Sequence, residues 1–229
     1  MEKEKAVLNF VNSESEELFL LKEHALIGIS PFNSYYSEEN LKKLFSWGLS
    51  TFKRISIFIP DGISMYTLHA MGYSQEKAKK KTNSQDRYLR NKAIKALLKN
   101  GLSEKEAKDR IIFYSDLINN ERYAKFHDIY NSLYESDEDF REGCLTVSKK
   151  TLGYAQNFAN IDRESLHIAV KYFLDELPVL LNGVEILNLK SALFVYKDVI
   201  EFIGRVYNDT LFSHLPSPFQ GYVGVNFIE

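Results

Sequence analysis

Two short apolar runs, over residues 23–29 and 54–59, each end in a cluster of turn-forming residues, Gly28-Ile29-Ser30-Pro31 and Pro60-Asp61-Gly62. Runs of that length with such borders predict buried strands. Between them Ser37-Glu38-Glu39-Asn40 opens an amphipathic helix, with Ser37 as its N-cap and Leu41, Leu44, Phe45 and Leu49 on one face. Ser103-x-x-Glu106 has the form of a capping box, and its helix leads into a third strand over 111–114. Helices are predicted over about 115–134, 137–154 and 162–181, and further strands over 191–196 and 221–228. Strands alternating with helices give a mostly parallel sheet covered on both faces, with right-handed crossovers. No linker-like or repeated segment divides the chain. The expectation is one α/β, Rossmann-like domain over 1–229.

Composition narrows the class. With 45% apolar and 14% aromatic residues, the chain is neither disordered nor fibrous. The single cysteine, Cys144, excludes a disulfide framework and a multi-cysteine zinc site, and fits a reducing cytoplasm. It is most simply a small buried helix residue. The charged start Met1-Glu2-Lys3-Glu4-Lys5 leads into no signal-like apolar region, and no run approaches the roughly 18 apolar residues of a membrane span.

The net charge of −2 hides an uneven distribution. Between Ser74 and Asn100 stand Lys77, Lys79, Lys80, Lys81, Arg87, Arg90, Lys92, Lys95 and Lys99, opposed only by Glu76 and Asp86; this segment is +7 and the rest of the chain −9. On a helical wheel most of these bases share an arc of about 140°, opposite Ala78, Leu89, Ala93, Ile94, Ala96 and Leu97. The segment therefore predicts a helix with an apolar face on the body and a basic face outward. Such a face can be merely solvated, can meet an acidic protein, or can displace counterions from a nucleic-acid backbone. The acidic stretch 135–142 is expected only to be an exposed helix start.

In parallel sheets ligands bind past the carboxyl ends of strands. Ser30 stands there, two residues after Gly28, whose small size would leave room for a substrate carbonyl. A polar turn explains Ser30 as well. There is no G-x-G-x-x-G, no Walker motif and no G-x-S-x-G elbow, so neither a nucleotide cofactor nor an α/β-hydrolase is indicated. Tyr172 and Glu176 are one helical turn apart, ahead of Pro178, and can reach one ligand such as an ammonium; a core-edge Tyr and a surface Glu are the plain alternative. Tyr196 closes the 191–196 strand. None of His24, His69, His127, His167 and His214 has metal-ligand spacing to another, although His214 could complete a Ser…Asp…His order with Ser30.

Taken together, His24-Ala25-Leu26-Ile27-Gly28-Ile29-Ser30-Pro31-Phe32-Asn33-Ser34, the Tyr172-x-x-x-Glu176-Leu177-Pro178 motif and Tyr196 resemble the cyclodipeptide synthases over nearly the whole chain. The basic helix lies where that family keeps its tRNA-binding helix, and Trp47 and Phe52 where it has an aromatic pair. The resemblance implies a domain like those of class I tyrosyl- and tryptophanyl-tRNA synthetases, without ATP chemistry or a cofactor. It implies an aminoacyltransferase that makes a 2,5-diketopiperazine from two aminoacyl-tRNAs through aminoacyl-Ser30 and dipeptidyl-Ser30. In this reading the amine of the second aminoacyl-tRNA attacks acyl-Ser30.

Ser30 would be the nucleophile, Tyr172 and Glu176 would hold the first α-amino group, and Tyr196 would lie beside the serine. Backbone N–H groups near Gly28 would face the oxyanion. Asn33 and Tyr196 match one subfamily, whose third marker is replaced by Lys197 in this chain; that lysine would favour a polar or acidic second residue. Leu26, Phe58, Pro60, Val179 and Phe194, with Leu117, would line the first amino-acid pocket, and Lys77, Lys80, Lys81, Arg87, Lys92 and Lys95 would contact tRNA. A cytoplasmic monomer is expected. A non-catalytic tRNA-binding protein of the same fold, or a serine hydrolase using Ser30 and His214, are the alternatives.

Overall fold

The computed structural model describes residues 5–155 and 161–228. The start Met1–Glu4 lies outside them. Their elements run β1 (Lys5–Phe10), α1 (Ser13–Leu21), β2 (His24–Gly28), α2 (Glu38–Thr51), β3 (Arg54–Ile59), α3 (Ser64–Ala70), α4 (Gln75–Lys99) and α5 (Glu104–Asp109). Then follow β4 (Ile111–Phe113), α6 (Tyr114–Leu117), α7 (Glu121–Ser136), α8 (Glu138–Ala155), α9 (Arg163–Ile186), β5 (Ala192–Tyr196), α10 (Glu201–Asn208) and β6 (Gln220–Ile228). They form a single α/β domain on a six-stranded sheet of order β1-β6-β5-β2-β3-β4. Every pairing is parallel except β1 with β6.

The central strands separate two cores by their two-residue period. Leu26, Phe58, Phe194 and Tyr222 face one apolar cluster with α7, α8, α9 and α10. Ala25, Ile27, Ile55, Ile57, Leu193, Val195 and Val223 face the other, with α2 and α4. Burial on both faces is why β2 and β3 are continuous apolar runs.

Local chemistry sets the element ends. The Ser37 hydroxyl accepts from the Asn40 N–H at 3.2 Å and starts α2. Ser103 and Glu106 form both halves of a capping box. The helix expected over 115–134 is interrupted, because the Asn120 side chain accepts from both Arg122 N and Tyr123 N and begins α7 anew. α9 is longer than expected: it runs through Pro178 and bends at Asn182, whose φ of −135° leaves the helical range. β1, α1, α3 and α10 add to the elements expected from the sequence.

Candidate active site

Ser30 follows β2 directly, and the chain then turns tightly. Phe32 has a φ of 58°, a left-handed conformation that a bulky residue rarely takes without support. Asn33 supplies that support, its side-chain oxygen accepting from Tyr35 N at 3.0 Å and its carbonyl from Tyr36 N at 3.2 Å. Asn40 of α2 closes the turn by donating to the Tyr35 carbonyl at 2.8 Å. The Ser30 hydroxyl is thereby held against β5, where its Oγ lies 2.5 Å from the Tyr196 hydroxyl.

Tyr172 and Glu176 face the same place from α9, and the Tyr172 hydroxyl donates to Glu176 Oε1 at 3.0 Å. Ser30, Asn33, Tyr172, Glu176 and Tyr196 all line one cavity of about 890 Å³. Their hydroxyl and carboxyl groups are recessed in protein, and burial controls their acidity. It pushes Glu176 up to about 8, with the neighbouring Asp175 adding to the rise and the Tyr172 hydrogen bond opposing it. It pushes Tyr196 up to about 12 and Tyr172 well above its ordinary value. Near neutral pH the empty site thus holds protonated tyrosines beside a carboxyl group that is itself largely protonated.

The cavity extends away from Ser30 along α8 and α10. Asp139, Glu142, Lys150, Glu201 and Arg205 stand in its lining, and Lys150 pairs with Glu201 across it. The acidic stretch of α8, expected to be a plain helix start, therefore borders the site. Lys197 is also in the lining, its Nζ 3.3 Å from the Asp198 carboxylate, which offsets its charge.

Other expected residues sit differently. The space left by the missing Cβ of Gly28 is filled by the Phe194 ring: a Cβ there would meet Phe194 Cζ at 2.6 Å. On that side of Gly28 no room for a substrate carbonyl remains, and the next N–H, that of Ile29, is taken by the Phe58 carbonyl at 3.1 Å. Leu26, Phe58, Pro60, Val179 and Phe194 are buried and absent from the lining of the open cavity, as is Leu117. His214 is exposed and also absent from that lining, so the structure does not pair it with Ser30.

The basic helix is α4, and Ala78, Leu89, Ala93, Ala96 and Leu97 are buried as its pattern predicts. Ile94 is only half-buried and lines a groove with Arg87, Arg90 and Leu98. Lys77, Lys80, Lys81 and Arg87 are exposed. Lys92, Lys95 and Lys99 bond within the protein: Lys92 donates to the Tyr36 carbonyl at 2.6 Å, and Lys95 and Lys99 both pair with Glu38 of α2. The outward basic face is therefore shorter than the sequence suggests, because its C-terminal half is docked on α2.

The remaining histidines have local partners. His24, buried beside Ser56 Oγ at 3.0 Å, is pushed down to about 4 by burial and stays neutral. His127 lies 2.9 Å from Asp175, and His167 2.7 Å from the Tyr134 hydroxyl. Among the described residues no group of three His, Cys, Asp or Glu gathers as a metal site, and no helix is long and apolar enough to cross a membrane. Cys144 is buried in α8, and Trp47 and Phe52 pack edge to face with centroids 5.6 Å apart.

Comparison with known proteins agrees over the whole fold. The cyclodipeptide synthase family model matches residues 8–226. The chain is 30% identical to a cyclo(L-leucyl-L-leucyl) synthase of Staphylococcus haemolyticus over 97% of both proteins. A solved cyclodipeptide synthase from Bacillus thermoamylovorans superposes with a TM-score of 0.89 at 29% identity, over 98% of this chain and 97% of that one. A Mycobacterium tuberculosis protein, whose structure relates cyclodipeptide synthetases to type I tRNA synthetases, superposes with a TM-score of 0.84 at 25% identity, over 100% of this chain and 96% of that one.

Proposed function

The chain belongs to the cyclodipeptide synthase family, and from that premise we propose that it joins the aminoacyl groups of two aminoacyl-tRNAs into a 2,5-diketopiperazine through acyl-Ser30 intermediates. The observation supporting this reading is the convergence of Ser30, Tyr196, Tyr172 and Glu176 in the lining of one cavity. The reading makes the protein a cytoplasmic aminoacyltransferase that draws its energy from the aminoacyl ester rather than from ATP.

An aminoacyl-tRNA is already an activated ester. Ser30 Oγ attacks its carbonyl carbon, the bond to the ribose oxygen breaks, and the serine proton ends on that oxygen. Tyr196 keeps its own proton near neutral pH, and its hydroxyl holds the serine oxygen in place at 2.5 Å. The ammonium of the bound aminoacyl group sits at Tyr172 and Glu176, where its charge draws Glu176 to the carboxylate form. That carboxylate, recessed in protein, then accepts the ammonium proton and frees the amine.

Bond counting corrects the direction expected for the second step. Attack by the amine of the second aminoacyl-tRNA would release Ser30 and leave dipeptidyl-tRNA. Dipeptidyl-Ser30 forms only when the amine of acyl-Ser30 attacks the second ester, expelling the second tRNA. The new terminal amine then attacks the Ser30 ester, closes the six-membered ring and returns the proton to Oγ. Closure needs a cis peptide bond, unfavourable by about 2.5–4 kcal/mol for most residues, so the cavity must hold a bent dipeptide.

The first side chain is assigned to Leu26, Phe58, Pro60, Val179 and Phe194, with Leu117, all of them buried. Asn33 supports that site through the turn after Ser30. Lys77, Lys80, Lys81 and Arg87 on α4 supply the exposed charge for tRNA phosphates. Expression in a bacterium, with mass spectrometry of the medium, tests the reading. New diketopiperazines that disappear with Ser30→Ala are expected. Their absence with retained tRNA binding would instead make this a tRNA-binding protein.

A further inference from the structure

Tyr36 is completely buried, and its hydroxyl makes no hydrogen bond of good geometry, although it lies beside the Tyr196 hydroxyl and the Lys197 main chain, both near enough to bond it weakly. A buried hydroxyl that is poorly satisfied adds little stability over phenylalanine, and it can bond more strongly when a neighbour turns toward it. The residue nearest the chemistry is Tyr196, whose ring centroid is 6.0 Å from that of Tyr36 and whose hydroxyl holds Ser30 Oγ at 2.5 Å. The Tyr36 hydroxyl is close enough to the Tyr196 hydroxyl and to the Lys197 main chain for each to alter its acidity. On its other side the main-chain carbonyl of Tyr36 accepts from Lys92 Nζ at 2.6 Å. One residue therefore touches both the partner of the nucleophile and the basic helix.

We propose that Tyr36 is a positioning residue for Ser30: it holds Tyr196 against the serine, gives the Tyr196 hydroxyl a second partner once Ser30 is acylated, and ties this group to α4 through Lys92. The chemistry gives such a partner a use. Before acylation Ser30 Oγ can both donate to and accept from Tyr196. As an ester oxygen it has no proton and accepts weakly, so the Tyr196 hydroxyl loses most of its bond to Ser30. A small rotation toward the waiting Tyr36 hydroxyl offsets that loss. Lys92, expected from the sequence to contact tRNA, becomes a strut between the tRNA-binding helix and the active-site turn.

The proposal rests on the acyl-Ser30 reading, and its test separates the two. Wild type, Tyr36→Phe and Lys92→Met are compared in single-turnover acylation by radiolabelled aminoacyl-tRNA. The rate at which a fluorophosphonate labels Ser30, and thermal unfolding, are followed alongside. Tyr36→Phe is expected to slow acylation and turnover about tenfold, with KM and salt dependence unchanged and Tm no lower than wild type. Lys92→Met is expected to slow acylation by a smaller factor with the same salt slope. Wild-type rates in Tyr36→Phe overturn the proposal. So does a slow Tyr36→Phe with a lowered Tm, which is a packing defect, or with a raised KM, which is a substrate contact. A shallower salt slope in Lys92→Met makes that lysine a phosphate contact and removes the strut. If wild type takes no label from aminoacyl-tRNA, the acyl-Ser30 reading fails, and the fluorophosphonate rates still decide whether Tyr36 positions Ser30.

Discussion

Asp175 and Glu176 are consecutive on α9 but are held by different parts of the protein: the Asp175 carboxylate lies 2.9 Å from His127 Nε2 on α7, while Glu176 accepts the Tyr172 hydroxyl at 3.0 Å in the cavity. Successive helical side chains diverge by about 100°, which separates the two carboxylates. Asp175 is further fixed through its carbonyl, which accepts from the Tyr123 hydroxyl at 3.0 Å. It does not compete for a ligand at Glu176 and acts on it only through charge.

Glu176→Gln is expected to abolish diketopiperazine formation and yet stabilise the empty protein above pH 5. The folded-state pKa of Glu176, about 8, is raised above the ordinary 4.5. Between those values the folded protein binds a proton that the unfolded chain releases, so stability falls as pH rises. Glutamine keeps the acceptor for Tyr172 without that penalty. The advantage should grow to about 2 kcal/mol at pH 8, less than the full difference because cavity water screens the charge. Urea unfolding of both proteins at pH 5 and pH 8 measures it; an equal gap at the two pH values would mean that the raised carboxyl pKa is not its source.

Asp175→Asn should move the chemistry without touching the substrate. Removing the acidic neighbour lowers the pKa of Glu176, so the ionisation limb in the pH dependence of turnover should shift toward acid. His127 is raised by its hydrogen bond to Asp175, so the contribution of this pair is present below the ordinary histidine value and is lost as pH rises through the folded one. The variant is therefore expected to lose about 1 kcal/mol at pH 6 and little at pH 9. Paired pH–rate and denaturation series check both effects.

Gly28→Ala probes the close approach at the end of β2. The added carbon would lie 2.6 Å from Phe194 Cζ, 3.0 Å from Phe194 Cε1 and 3.6 Å from Tyr196 Cδ2. Such overpacking typically costs about 1–3 kcal/mol. Phe194, assigned to the first side-chain pocket, must shift while Tyr196 stays at ordinary contact distance, so turnover should fall further than stability accounts for. Adding Phe194→Leu should recover the stability in urea unfolding, because the clash is with that ring.

The difference between Gly28 and Tyr172 shows what a sequence can display. Tyr172 and Glu176 are one turn apart, and their contact follows from helix geometry alone. The central strands were legible because both faces are buried and turn residues bound them. β1 was not, since its residues alternate between exposed and half-buried and it is completed only by distant β6. α1 carries Leu20 and Leu21 exposed at 68% and 54%, so its apolar positions do not describe a buried stripe. Ser30 and Tyr196, 166 positions apart, meet only through the parallel pairing of β2 with β5, and resemblance rather than periodicity pointed to them. Nothing local distinguishes buried Tyr36 from Tyr35, whose hydroxyl donates to the Val225 carbonyl at 2.9 Å.

The two halves of α4 should answer differently to charge reversal. Lys77, Lys80, Lys81 and Arg87 are exposed, and Lys81 rests over the Tyr73 ring at 5.2 Å, leaving its charge at the surface. Lys95 and Lys99 already share the Glu38 carboxylate, which is held down to about 2 by those hydrogen bonds. A lysine so neutralised releases few counterions on meeting a phosphate, whereas an exposed one releases close to a full complement. Reversing Lys80, Lys81 and Arg87 together should therefore weaken aminoacyl-tRNA binding steeply and reduce the slope of log Kd against log salt by about 0.7–0.9 per lost contact. Reversing Lys95 should change the slope little and lower Tm through repulsion from Glu38. Filter binding between 50 and 200 mM salt, about the range in which such slopes are read, distinguishes the two halves. Equal slopes for the triple variant and wild type would remove the N-terminal half of α4 from the tRNA surface.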